Sequence, residues 1–170
     1  MKRIILLLAM CCCGACLRTD EIKAFDGYVD SSEMRANYGQ PELHLIVGKG
    51  MLWLSSLVMW MDGDVSGLLS GVDAARIEVY QLNHNPAPAL NAVRNASKRL
   101  QAQGWEPVVS VNDENEQTRI LVKVDEDSIK GVVVMSVESG HEATFINVVG
   151  DIAPDQIMKL SRKMDINAGI

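Results

Sequence analysis

Most of the chain consists of short stretches in which apolar and polar residues alternate, interrupted by three stretches with apolar residues at helical spacing. Alternation with period two predicts strands at residues 42–47 and 75–82. Four further strands, joined by short polar turns, are predicted at residues 105–111, 119–124, 129–138 and 141–149. Helical spacing predicts helices, which lie at residues 50–61, 86–103 and 154–164. The order β-α-β-α-β-β-β-β-α indicates an α+β fold, a two-layer sandwich of about six mostly antiparallel strands with helices packed on the sheet.

The beginning of the chain has the pattern of an export signal. Lys2 and Arg3 precede residues 4–10, which contain no polar side chain, and small residues follow. A basic start, a short apolar run and small residues are typical of a secretory signal peptide, and this run is too short to span a bilayer. The alternative is a buried N-terminal helix, which would show polar residues at helical spacing.

The stretch Cys13-Gly14-Ala15-Cys16 resembles the lipobox of bacterial lipoproteins, with Cys13 where an aliphatic residue is usual. The resemblance implies cleavage before Cys16 and a lipid on its thiol. Because Leu17 and not aspartate follows, it also implies the periplasmic face of the outer membrane. All four cysteines lie at positions 11, 12, 13 and 16, so the mature chain would keep one thiol and form no internal disulfide.

Four segments follow from these signals: a signal peptide at residues 1–15, a lipid anchor and polar tether at 16–40, a single α+β domain at 41–166 and a tail at 167–170. Residues 17–40 are polar, with scattered apolar side chains and no sustained period, which is typical of a tether with one helical turn at 32–37. The alternative, which stays open, is an ordered segment docked on the domain through Phe25 and Tyr28.

Composition and charge exclude some classes of protein. The chain has 170 residues, of which 48% are hydrophobic and 22% charged, which is globular composition and not that of a disordered or many-spanning membrane protein. This length suits one domain with a hydrophobic core. The formal net charge is −6, whereas nucleic-acid binding needs a basic surface. We therefore expect no nucleic-acid partner.

Catalytic constellations are not evident in the sequence. The three histidines, His44, His84 and His141, show no ligand-pair spacing on one helix. The chain also lacks the motifs of a nucleophile elbow and of a phosphate-binding loop. We predict a protein without enzymatic activity or cofactor, since an unrecognised enzyme would require residues such as His44 and His141 to converge in a pocket.

Residues 62–73 resemble a calcium-binding loop. Asp62, Asp64, Ser66 and Asp73 occupy its first, third, fifth and twelfth positions. The residues that follow alternate like a strand, whereas an EF-hand needs an exiting helix. The preferred interpretation is a polar turn without a metal, and calcium binding by these four residues is the alternative.

The predicted helix at residues 50–61 is apolar over roughly half of its circumference. One stripe consists of Met51, Leu54, Val58 and Met61, and a second consists of Trp53, Leu57 and Trp60. This is more apolar surface than a helix needs to cover one face of a sheet. Two interpretations stay open: full burial, or a stripe of Trp53, Leu57 and Trp60 that binds a protein partner, because tryptophan is enriched in binding hot spots.

Three stretches carry a family resemblance, and they lie at residues 50–61, 68–82 and 145–166. The last is the most specific, because a strand is followed by Val149-Gly150-Asp151-Ile152 and a helix led by Pro154. These stretches are similar to the bacterial envelope family known as domain of unknown function 4252, and the resemblance covers residues 41–166. It implies an exported, often lipid-anchored protein associated with envelope signalling, with no catalytic residues to carry over.

These interpretations combine into one expectation. The sequence predicts a lipoprotein of the cell envelope, held to the membrane through Cys16, whose domain binds another protein without catalysis. A domain that binds a small ligand or calcium is the alternative.

Overall fold

The computed structural model describes residues 19–49, 71–82, 86–113, 116–138 and 141–154. Several predictions fall outside these residues. The predicted helix at 50–61 is one of them, and of the predicted helix at 154–164 only the first residue is described. The predicted site residues outside the described part are Cys16, Trp53, Leu57, Trp60, Asp62, Asp64, Ser66 and His84. Among the described residues, no helix is both long and apolar enough to cross a membrane.

The described residues form one six-stranded sheet in which every neighbouring pair of strands is antiparallel. The strands are β1 (Leu43–Gly48), β2 (Val72–Gln81), β3 (Glu106–Asn112), β4 (Glu116–Asp125), β5 (Ser128–Glu138) and β6 (Glu142–Ile152). Their order across the sheet is β1-β2-β6-β5-β4-β3, so β1 and β3 are its edges. All six predicted strands are confirmed.

Three helices are described: α1 (Thr19–Ile22), α2 (Ser32–Tyr38) and α3 (Ala87–Ala102). The prediction of α3 is confirmed, and Val93, Ala96 and Leu100 form its buried face. The helix ends before Gly104, whose φ of +84° lies in the left-handed region that glycine adopts without steric cost.

One face of the sheet, called the inner face, carries the main core. It is defined by buried residues at alternate positions of the four central strands: Arg76, Glu78 and Tyr80 of β2, Phe145 and Asn147 of β6, Val133, Met135 and Val137 of β5, and Leu121 of β4. The buried residues of α3 pack on the apolar members of this set, together with Trp105 and with Met34 of α2. The described helical layer therefore lies on the inner face.

Residues 19–38, called the N-terminal segment, are part of this layer. Ile22 is fully buried in a cluster with Ala74 and Val149, and Val29 and Met34 belong to the main core. The described part of residues 17–40 is thus docked on the domain, which was the alternative to a tether. Phe25 and Tyr28 pack against the Ile22 cluster. The predicted turn at 32–37 is the helix α2.

The opposite face, called the outer face, is also apolar. Its central residues are only partly exposed, and they include Ile77 and Val79 of β2, Ile146 and Val148 of β6, Val132 and Val134 of β5, and Ile120 of β4. Irregularities in strand register lie between Val72 and Ala74 and between Ile129 and Gly131. They bring Val72 and Ile129 into a second buried cluster with Val122 and Ile152 on this face.

Candidate functional site

A network of buried charged and polar side chains lies between β2 and the N-terminal segment. The period of two in β2 places Arg76, Glu78 and Tyr80 on the inner face. Glu78 is fully buried, and its carboxylate accepts hydrogen bonds from Arg35 Nη2 of α2 and from the Tyr80 hydroxyl at 2.8 Å. Arg76 Nε lies 4.0 Å from the same carboxylate. Burial alone would raise the free energy of these charges, but the pairing compensates for their lost hydration.

Arg76 binds the backbone of the N-terminal segment. Arg76 is 1% exposed, and its guanidinium donates to the Val29 carbonyl and to the Tyr28 hydroxyl at 3.3 Å. The same group lies over the rings of Tyr28 and Phe145, at 5.0 Å and 5.2 Å from their centroids, which adds a cation–π attraction. One arginine thus links the segment, β2 and β6.

Asn147 of β6 makes a second link to the same backbone. Its Oδ1 accepts a hydrogen bond from the Val29 amide at 2.9 Å, and its Nδ2 donates to the Gly27 carbonyl at 2.9 Å. Asn147 is fully buried. Backbone groups buried away from water need partners of this kind, and Asn147 supplies them to Gly27 and Val29, which belong to no strand.

Two glycines allow this stretch to lie directly on the sheet. A Cβ at Gly27 would meet the Lys130 carbonyl oxygen at 1.9 Å, and a Cβ at Gly131 would meet Gly27 Cα at 2.7 Å. These atoms belong to the backbone and cannot move aside as a flexible side chain can. The close approach of the two chains therefore requires glycine on both sides.

The electrostatics of the network favour a permanent ion pair. Burial works to raise the pKa of Glu78, but the hydrogen bonds from Arg35 and Tyr80 and the charge of Arg76 outweigh it and lower the pKa below its ordinary value. Burial and the neighbouring Glu78 carboxylate raise the pKa of Tyr80. Both groups keep one protonation state near neutral pH, which suits a structural clamp better than proton transfer.

We expect acid to weaken the fold through Glu78. Its pKa is lower in the folded protein than the ordinary 4.5, so its stabilising contribution is present above that pH and is lost as the pH falls towards the folded pKa. Urea denaturation at a series of pH values measures the free energy of unfolding directly. In Glu78→Gln this part of the acid dependence should be missing, and the same dependence in both proteins would contradict the prediction.

A cleft of about 410 Å³ lies between the N-terminal segment and the last turn of α3. Its charged side chains already have partners within the chain: Arg99 forms an ion pair with Glu33, and Asp30 accepts hydrogen bonds from the Ser32 amide at 3.1 Å and hydroxyl at 2.6 Å. The described lining residues include neither a histidine nor a lysine. The charged side chains of the cleft are thus engaged within the chain.

A sequence model of the family described as domain of unknown function (DUF4252) matches residues 38–160. The match covers more than half of the chain. The chain belongs to the DUF4252 family. No curated protein matches it significantly. The DUF4252 match begins at Tyr38, so Arg76, Glu78 and Asn147 lie inside the matched region, whereas the N-terminal segment that they hold precedes it almost completely.

Within the DUF4252 domain, the two described histidines do not converge. His44 of β1 lies opposite Glu78, with its Nε2 at 3.6 Å from the Glu78 carboxylate, and His141 lies beside Leu82, to whose amide its carbonyl is bonded. Glu78 and Leu82 are four residues apart along the chain, which corresponds to about 13 Å in an extended strand. A site built on both histidines therefore does not form.

Asp73 is the one described member of the proposed calcium loop. It lies in β2, and its carboxylate forms an ion pair with Lys49 at 2.9 Å. Among the described residues of this DUF4252 protein, no three histidine, cysteine or acidic side chains come together as metal ligands. Asp62, Asp64 and Ser66 lie outside the described residues, as do the lipid-attachment residue Cys16 and the stripe of Trp53, Leu57 and Trp60.

The network of Arg76, Glu78 and Asn147 was not predicted from the sequence. A signal was available for part of it, because Arg76 and Glu78 are two residues apart in a strand and side chains at that spacing share a face. Opposite charges on one face can form a pair. No comparable signal marks Asn147, whose partners in the DUF4252 chain are 118 and 120 positions away.

Proposed function

We propose that this DUF4252 protein is an exported lipoprotein of the cell envelope that binds a protein partner without catalysing a reaction. In this proposal a lipid on Cys16 holds it at the periplasmic face of the outer membrane, and it takes part in envelope signalling. The proposal includes the element order β-α-β-α-β-β-β-β-α, with helices at residues 50–61 and 154–164 and helices packed on the sheet as in a two-layer sandwich.

The observation that carries the binding role is the exposure of large apolar side chains along the edges of the sheet. Leu43 and Leu45 of β1 are 48% and 41% exposed, and Val108 and Val111 of β3 are 51% and 41% exposed. Leu43 and Leu45 are two residues apart, so they share the outer face. Leu43 and Leu45 thus form an apolar pair at one edge of the sheet, and exposed apolar surface is typical of sites that bind other proteins.

The hydrogen-bond partners of the buried polar side chains support a role without catalysis. Glu78, Arg76 and Asn147 are buried, and each forms a hydrogen bond to the N-terminal segment; Glu78 also accepts one from Tyr80. Catalysis would require such groups to face a substrate. In this domain these groups instead bind other parts of the same chain.

The docked N-terminal segment bears on how a lipid anchor would hold the domain. Cys16 precedes Thr19, the first residue of α1, by three positions, which span about 10 Å at most. Because Ile22 is packed on the sheet, the domain would stand close to the membrane. Loss of Lys2 and Arg3 by cleavage would change the formal charge from −6 to −8, so the lipid and not the surface charge would provide the attraction.

Binding of a small ligand or calcium is less well supported. Its described candidate, Asp73, already has Lys49 as a partner, and no three potential ligands gather among the described residues. The protein-binding role therefore remains the preferred proposal.

We expect Trp60→Ala to abolish capture of the protein partner and to leave the melting temperature nearly unchanged. The reason is that a tryptophan in a binding hot spot contributes mainly to the complex. The measurement is crosslinking in intact cells, purification of the tagged protein and mass spectrometry of what is crosslinked to it, with a thermal melt of each purified variant.

Trp105→Ala is the matched control for a tryptophan of the core. Trp105 is 4% exposed and packs in the main cluster, so its truncation should cost about 3–5 kcal/mol. If Trp60→Ala lowers the melting temperature as much as Trp105→Ala does, or if capture of the partner is unchanged, the binding role of this stripe is wrong.

A further inference from the structure

The inner face of the sheet has two halves with different buried surfaces. Beneath α3 the surface is apolar, and its residues include Val133 and Met135 of β5. Beneath the N-terminal segment it is polar, because Arg76, Glu78 and Asn147 are buried there. Well-packed apolar side chains often hold a segment of the core at no greater cost than buried charged groups do. The polar half therefore indicates a surface that recognises what lies on it.

Two side chains of the polar half bind the backbone of the N-terminal segment. Asn147 accepts a hydrogen bond from the Val29 amide and donates one to the Gly27 carbonyl. Arg76 donates to the Val29 carbonyl. Main-chain hydrogen bonds of this kind provide affinity where a peptide binds along a sheet, and pockets for its side chains provide specificity. The segment is thus held in the way that a bound peptide is held.

The same surface also selects the residues of the peptide. A Cβ at Gly27 would lie 1.9 Å from the Lys130 carbonyl oxygen, so only glycine fits at this position. Val29 and Met34 are buried in the main core, and Ile22 is fully buried in a cluster of its own with residues of β2 and β6. The pattern that fits is therefore glycine, an apolar residue two positions later and apolar anchors on both sides.

The segment that fills this surface comes from outside the family domain. The DUF4252 match covers residues 38–160, which include all six strands and α3, whereas residues 19–37 precede it. Residues 39–41 connect the segment to the domain and belong to no helix or strand. Gly39 in this connector has a φ of +80°, and a Cβ there would meet no atom within 4 Å. Rotation within the connector would move the segment without changing the pairing of any strand.

We propose that the inner face over β2 and β6 is a peptide-binding groove that the N-terminal segment occupies as an intramolecular ligand. The groove consists of Arg76, Asn147, Gly131 and the Lys130 carbonyl. Its second occupant is a segment of a protein partner with the same pattern, glycine followed two positions later by an apolar residue and flanked by apolar anchors. While the N-terminal segment is bound, the groove is closed to this partner. The groove does not rest on the proposed function, since it shares no residue with the surfaces used there.

Exchange of one peptide for another is favoured over an empty groove. When the N-terminal segment leaves, Arg76 and Asn147 lose hydrogen-bond partners, and buried polar groups without partners are costly. The connector also keeps the released segment close, at an effective concentration in the millimolar range that is typical of short flexible linkers. A partner must therefore compete with a tethered ligand, so the segment is autoinhibitory.

Cutting the connector tests this exchange. The recognition sequence of a site-specific protease is inserted between Gln40 and Pro41 of the full chain, so that after cleavage only noncovalent contacts hold the segment. The probe is a fluorescent synthetic peptide of residues 19–38, and its fluorescence anisotropy measures binding. We expect the probe to replace the cut segment and to bind the cut chain about ten-fold or more tightly than the uncut chain, because cleavage removes the tethered competitor.

Two variants of the probe separate recognition by the groove from unspecific binding. The Gly27→Ala peptide should bind the cut chain about ten-fold or more weakly than the native peptide, because its methyl group overlaps the backbone of β5. The Ala36→Ser peptide is the matched control, since Ala36 is exposed on α2, and it should bind as the native peptide does. Circular dichroism checks the fold before and after cleavage.

Several outcomes would overturn the peptide groove. They are failure of a large excess of probe to replace the cut segment, equal binding of the native and Gly27→Ala peptides, and unfolding of the domain on cleavage, which would make the segment part of the core. If the insertion itself disturbs the fold, hydrogen exchange at the Val29 amide of the native chain decides, because the probe should remove its protection. None of these measurements depends on Trp60, so failure here and failure of the proposed function are distinguishable.

Discussion

Glu78→Ala is expected to lower the free energy of unfolding by about 3–5 kcal/mol, the range typical for removing one member of a buried ion pair. Glu78 is fully buried and accepts hydrogen bonds from Arg35 and Tyr80. Without it, the positive charge of Arg76 stays buried near Val29 and the Tyr80 hydroxyl loses its acceptor. The cost therefore comes from the groups left behind more than from the lost contact itself.

Urea denaturation of the purified protein measures this loss. Lys49→Ala is the matched control, because it breaks an ion pair whose lysine is 75% exposed, and such pairs contribute at most about 1 kcal/mol. The double variant Glu78→Leu with Arg76→Met should recover part of the stability lost in Glu78→Ala, since it removes both charges. A loss in Glu78→Ala no larger than in Lys49→Ala would show that the network is dispensable.

Gly27→Ala is expected to release the N-terminal segment from the sheet and to destabilise the domain by about 3 kcal/mol or more, the upper range for overpacking a core. The added methyl group would lie 1.9 Å from the Lys130 carbonyl oxygen and 2.6 Å from Gly131 Cα. Because these are backbone atoms of β5, the segment has to lift. Lifting would break both hydrogen bonds to Asn147 and the bond from Arg76 to Val29.

Gly104→Ala separates this effect from the general cost of replacing a glycine. A Cβ at Gly104 meets no atom within 4 Å, although its φ of +84° disfavours other residues, so we expect a loss of about 1 kcal/mol. Thermal melts compare the two variants, and hydrogen exchange at the Val29 amide reports on the segment. A smaller loss in Gly27→Ala than in Gly104→Ala, or unchanged protection at Val29, would be incompatible with a segment held flush on the sheet.

Local pattern was sufficient for the strands and for α3. Val93, Ala96 and Leu100 recur at helical spacing and are buried together, and each predicted strand is present in the sheet. These elements can be predicted because their side-chain periods, 3.6 residues in a helix and 2 residues in a strand, differ clearly and because each element has one face against the core. The family could be recognised for a related reason, since its motifs are local runs of residues within the matched region.

The docking of the N-terminal segment on the sheet could not be predicted in the same way. Ile22, Val29 and Met34 are all buried, but their separations of seven and five residues form no sustained period. The segment is held by Arg76 and Asn147, which come much later in the chain. A polar stretch with a few apolar residues therefore has the same pattern whether it is a tether or a docked segment.

The sequence by itself determined the six strands, α3, the α+β class and the family, because these depend on residues close together in the chain. Alternation in β2 also separated Ile77 and Val79 from Glu78 and Tyr80. Only the tertiary structure decided that the side with Glu78 is the buried one. The physical reason is that a buried carboxylate needs partners that compensate its charge. Arg76 and Tyr80 are two positions from Glu78, but Arg35 lies 43 positions away, and local pattern carries no information about that partner.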